Sequence, residues 1–202
     1  MHAQRLRFVG RSGIVGGVVW FATTMLGATV LPQITTPGTT VSAVSSTLFT
    51  LTLVLALIGF LGIGLGGALG GWFGKIVFAL AVLGHGLMVI GSVLTIFGIG
   101  PLTDPQTAVS LIFLLGRLIA VVFTLLTGIA VLLARRWRGW AAFAPLLLAL
   151  WPILTELVPV IVIGQPLPEL FNAVWGLFVA LLGLATLAQI RTPHTSLSAA
   201  VG

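Results

Sequence analysis

From Val109 to Ala134 the chain is apolar except for a single charged side chain, Arg117, about a third of the way along. As a helix such a stretch is long enough to cross a bilayer, for which about 20 residues suffice. A guanidinium held in mid-helix costs roughly 2.5–3.5 kcal/mol on insertion scales. The rest of the chain must therefore supply something that compensates Arg117: an opposite charge, a wet cavity or a ligand.

Composition extends this argument to the whole chain. Hydrophobic residues make up 58% and charged residues 6%, with a mean hydropathy of +1.24. Soluble domains carry about 25% charged residues, so a water-soluble fold is excluded. Six stretches match the length of a membrane-crossing helix, at 13–31, 47–67, 76–99, 109–134, 142–163 and 169–189. The expected fold is all-α: a polytopic membrane protein with six transmembrane helices in one bundle spanning 1–191, followed by a flexible cytoplasmic tail at 192–202. The first stretch follows Arg5, Arg7 and Arg11, as in a signal peptide. Its length and the poor cleavage context Leu26-Gly27-Ala28 favour a retained anchor over a cleaved signal.

Orientation follows from the basic residues. Arg5, Arg7 and Arg11 precede the first stretch, and Lys75 lies between the second and third. Arg135, Arg136 and Arg138 lie between the fourth and fifth, and Arg191 follows the sixth. The alternate loops carry no Lys or Arg, which places both termini in the cytoplasm of a plasma (inner) membrane protein. Trp72, Trp137 and Trp140 stand where an interfacial aromatic belt is expected. The net charge of +6 thus reflects topology, and no nucleic-acid partner is expected.

Helical spacing assigns faces. Gly84, Gly91 and Gly98 form a heptad ridge suited to close backbone approach. Ser110, Arg117, Thr124 and Gly128 share a face of the fourth stretch, and Pro145, Pro152, Glu156 and Pro159 one of the fifth. Pro159 frees the carbonyl of Thr155, and Pro152 that of Leu148. Asn172, Gly176 and Gly183 make a similar stripe in the sixth. Gly62, Gly66, Gly70 and Gly74 recur at four-residue spacing; Gly62 and Gly66 can pack inside the bundle or between two copies in a homo-oligomer.

At ~1.5 Å per residue, Arg117 lies about 12 Å from the outer end of its helix and Glu156 about 10–11 Å from the outer end of the next. Antiparallel neighbours would bring these charges to one level. His85 falls nearer mid-membrane, Asn172 nearer the surface and Glu169 at the mouth. Arg117, Glu156, His85 and Asn172 are therefore the candidate ligand-binding residues, in a polar pocket in the outer half of the bilayer.

Other motifs exclude themselves. Gly62-x-Gly64-x-x-Gly67 fits a dinucleotide fingerprint, but no strand precedes it. Gly10-Arg11-Ser12-Gly13 resembles the GxSG of rhomboid intramembrane proteases over four residues. That resemblance implies Ser12 as nucleophile with a histidine base, yet Ser12 falls at the cytoplasmic surface and His85 near mid-membrane, too far apart to meet. With no cysteine, three histidines and three acids, neither a metal centre nor a cofactor site is expected.

Two functional classes lead. One is binding or transport of a small anionic or polar ligand at the Arg/Glu/His site. The other is a structural or accessory membrane subunit in which Arg117–Glu156 is only a helix-locking ion pair. An intramembrane lipid-modifying enzyme ranks third, because titratable groups are so few.

Overall fold

The computed structural model describes residues 2–29, 40–100, 102, 106–165, 167–168 and 170–191. The 192–202 tail, Asp104, Glu169 and most of the first proline-containing loop lie outside them. Among the described residues every regular element is a helix, and six helices are long and apolar enough to cross a membrane. The elements in order are α1 (His2–Thr29), α2 (Thr40–Phe60), a one-turn α3 (Gly62–Leu65), α4 (Trp72–Ile96) and α5 (Ala108–Ala134). The fifth span is composite: a 3-10 turn Gly139–Phe143, α6 (Ala144–Pro152), a π turn Ile153–Leu157 and α7 (Val158–Ile163). The sixth is α8 (Leu170–Arg191).

The spans close into a ring. α1 packs on α2, α2 on α4, α4 on α5, α5 on α6, α6 on α8, and α8 back on α1. Two pairs are tightest, α1 with α8 and α4 with α5, and small residues explain both. A Cβ on Gly183 would lie 2.5 Å from the Gly10 carbonyl oxygen, and one on Gly116 would lie 2.8 Å from the Met88 nitrogen. Real side chains do not tolerate such approaches, so glycine lets the backbones touch. The ridge expected at Gly84 and Gly91 does face α5. Gly98 does not belong to it: its φ of +71° places it beyond the last turn of α4, where glycine ends the helix without a Cβ penalty.

Several helix limits differ from those expected. α1 begins well before residue 13 because Leu6 and Val9 are buried while Arg5, Arg7 and Arg11 stay exposed, so the arginine-bearing segment has a packed face. The second span starts earlier than expected, at Ala43, and runs to Leu65, because the α3 turn continues α2 past Phe60 through i→i−4 hydrogen bonds. The segment 142–163 is not one regular helix, for a reason rooted in its prolines. Pro159 has no N–H to return to Thr155, and the Val158 N–H reaches five residues back to the Ile153 carbonyl. The Thr155 carbonyl freed in this way accepts from the Leu167 N–H at 2.9 Å.

At the end of the ring that carries Lys75, Arg135, Arg136 and Arg138, Phe60, Ile63, Val131, Leu182 and Ala185 form a dense apolar core. Trp137 joins it rather than an interfacial belt. It is only 2% exposed and donates through Nε1 to the Gly66 carbonyl at 3.2 Å, whereas Trp72 and Trp140 are exposed. Gly62 faces Thr186 and Gly66 faces Trp137, so both glycines meet neighbours in their own chain.

Candidate functional site

Away from that core, towards the end opposite the basic residues, the ring encloses a cavity of about 190 Å³. All six spans contribute to its wall. A dry engineered cavity of ~150 Å³ holds a benzene molecule, so this one has room for a ring-sized guest.

The charges come first. Arg117 on α5 donates through Nη2 to Glu156 Oε1 on the π turn, and the two form an ion pair. Their depths match because α5 and the fifth span run antiparallel, with Arg117 and Glu156 at similar distances from the ends that lie away from Arg135, Arg136 and Arg138. The pair is not sealed: the arginine side chain is 36% exposed and the glutamate 23%. Both line the cavity. The arrangement therefore combines direct contact, which locks two spans, with access, which a purely structural pair does not need.

His85 and Asn172 line the same cavity, so all four residues expected at the site converge there. His85 is buried, with its ring stacked on Phe60 at 4.8 Å between centroids. Its Nδ1 lies 2.8 Å from the Ala81 carbonyl oxygen. A carbonyl only accepts, so Nδ1 carries the proton, and in the neutral ring Nε2 is then an acceptor. Asn172 sits in the first turn of α8, where its own carbonyl accepts from Trp20 Nε1 at 3.0 Å. That bond holds α1 against α8 beside the cavity that Asn172 lines.

The sequence reading singled out too few residues. Thr124, on the same face as Arg117, is 2% exposed and lines the cavity, and its Oγ1 has no hydrogen-bond partner among the described residues. Most buried threonines here spend their hydroxyl on a carbonyl of the preceding turn, as Thr127 does on Phe123 and Thr186 on Leu182. A buried hydroxyl without a partner costs about 1–3 kcal/mol. The aromatic wall was also missed. Trp20 meets Trp175 edge-on at 4.8 Å and Phe49 at 5.2 Å, and Phe49 continues to Phe113 at 6.1 Å. Among apolar residues such a wall carries no sequence signal of its own. Shared helical face with Arg117 was the signal available for Thr124.

Chemically the site is a largely apolar box without net charge. The Arg117 and Glu156 charges cancel, His85 brings an acceptor, Thr124 a buried hydroxyl, and four aromatic rings share the remaining wall with aliphatic side chains such as Met88, Leu148 and Pro152. Among the described residues no group of three His, Cys, Asp or Glu side chains could hold a metal ion. The chain matches no protein-family model, no curated protein and no solved structure.

Proposed function

We propose that this is a plasma-membrane protein with both termini in the cytoplasm that binds a small polar ligand in the central cavity of its six-helix ring. The observation that carries the reading is the part-exposed Arg117–Glu156 pair lining, with His85, Asn172 and Thr124, a cavity of about 190 Å³. A chain that needed only stability would fill such a space. Orientation rests on the gathering of basic residues at one end, by the positive-inside rule. Because Arg117 is already neutralised by Glu156, an uncharged or zwitterionic guest suits the site better than a free anion, which must first displace the glutamate.

The test is ligand-dependent stabilisation of the purified protein in nanodiscs across a panel of small polar compounds. A ligand present at 100 times its Kd adds about 2.7 kcal/mol to stability. Val121→Phe, which projects a ring into the cavity from its wall, is expected to abolish that shift while the protein stays folded. Equal shifts in variant and parent would place binding elsewhere. Since the chain has no cysteine, a single Lys75→Cys variant probed with an impermeant thiol reagent reads the orientation.

A second reading is favoured by the directness of the Arg117–Glu156 contact: an accessory subunit in which the pair locks two spans. Under it the panel gives no shift, and a mild-detergent pull-down recovers a stoichiometric membrane partner.

A further inference from the structure

The ring is not equally closed on all sides. On the α8 side, the fifth span is tied by Trp151 Nε1 donating to the Phe171 carbonyl at 2.7 Å and by the Leu167 N–H donating to Thr155. On the α5 side the situation changes along its length. α6 packs on α5, with Gly128 set against Leu146, whereas the π turn and α7 pack chiefly on each other and on α6. Only Pro159 is buried in α7, and Ile161 and Val162 are among the most exposed large apolar side chains of the described residues. In this upper stretch the bridge to α5 is made by two long side chains, Arg117 and Glu156, rather than by packed backbone.

We infer that this gap is a lateral portal from the bilayer into the cavity, latched by the Arg117–Glu156 pair. The inference rests on the binding role proposed above and names the guest: a membrane-dissolved amphiphile with an uncharged, ring-sized head bearing hydroxyl or carbonyl groups. Three features select it. At ~100° per residue, Leu114 and Leu118 lie on the side of Arg117 away from α4, and both are exposed, so the portal lip is apolar and suits a hydrocarbon tail. The wall of Trp20, Phe49, Phe113 and Trp175 offers edges and faces to a planar ring at a spacing typical of aromatic packing. The Thr124 hydroxyl, once rotated about its Cα–Cβ bond towards the cavity, can donate to a carbonyl of such a head, and the self-neutralised ion pair leaves no net charge to recruit an anion.

The experiment uses the full chain in nanodiscs and a decyl-benzoquinone carrying a diazirine on the first tail carbons. After photolysis, labelled peptides are located by mass spectrometry. The expected result is saturable labelling around Leu114 and Leu118 on α5 and Val160 on α7, displaced by excess unlabelled decyl-benzoquinone but not by decyl phosphate. Thr124→Val is expected to raise the displacing concentration about five-fold, the cost of one neutral hydrogen bond. Displaceable label confined to other spans would overturn the portal while leaving the cavity reading intact. Displacement by decyl phosphate in preference to the quinone would overturn the uncharged head. Label that no competitor displaces would overturn the amphiphile altogether, and the soluble-ligand panel then decides whether the cavity binds anything.

Discussion

The two ends of the ring are built on opposite terms. At the basic end Phe60, Ile63, Val131 and Leu182 leave almost no exposed surface, and the tryptophan there, Trp137, is committed to a backbone carbonyl. At the other end the same six spans diverge around about 190 Å³ of space and place a charge pair, a histidine and an unpartnered threonine along it. In a bilayer, lipid tails are as apolar as leucine, so close packing rather than water exclusion holds helices together. One end takes that gain in full. The other forgoes it, which teaches that stability is concentrated where the ring is closed and that specificity resides where it is hollow.

The contrast can be broken most severely at the helix seams on which both ends depend. Gly183→Leu forces a side chain into the Gly10 backbone and is expected to cost about 3 kcal/mol or more, seen as loss of monodisperse folded protein on gel filtration. A milder test compares aromatic truncations at the two ends. Phe60→Ala opens a void in the dense core and should cost about 3 kcal/mol in denaturant-induced unfolding. Phe49→Ala, at a ring that is already partly exposed, should cost less, about 2 kcal/mol. Equal costs would mean that the hollow end is packed as tightly as the other.

The ion pair comes next. Removing one partner of a sealed pair costs roughly 3–5 kcal/mol, and partial exposure lowers the expected loss for Glu156→Ala to about 2 kcal/mol. Arg117→Leu combined with Glu156→Leu should recover most of that loss, because no stranded charge is left. A double variant as unstable as the sum of the singles would show that the two residues act independently. The smallest expected effect is the most diagnostic. Thr124→Val should leave stability unchanged or raise it by up to ~1 kcal/mol, while Thr127→Val, which loses a made bond to Phe123, should lower it by about 1 kcal/mol. Equal losses at both positions would mean that the Thr124 hydroxyl is satisfied after all.

Much of this was legible in the residues alone. Six apolar stretches have one physical solution at this length, and counting residues to the helix ends brought Arg117 and Glu156 to a common level, where the structure pairs them. His85 and Asn172 followed from the same arithmetic. Where reading stopped, the cause was degeneracy. Trp20, Phe49 and Trp175 are apolar residues in an apolar chain, and only three-dimensional closure of the ring distinguishes a cavity wall from a lipid-facing side chain. Trp137 sits at the correct height for a belt yet turns inward, because the end of the α3 turn presents it with the Gly66 carbonyl. Thr124 looks like any threonine until its neighbours are found to bond elsewhere. Heptad spacing placed Gly98 in a ridge, but a helix that has already ended has no face to share.

The π turn at Ile153–Leu157 carries one last consequence. Its hydrogen bonds reach one residue farther than those of an α-helix, so the turn behaves as a single residue inserted into an otherwise regular span. The widened turn takes that residue up within itself, so α6 and α7 keep nearly the phase of one continuous helix about it. Deleting Leu147 from the regular turns of α6 leaves nothing to absorb the change and would rotate Glu156 by about 100° relative to the part of the span that precedes the cut. The pairing is thus written in the length of the span as much as in its letters, and loss of one codon can undo it.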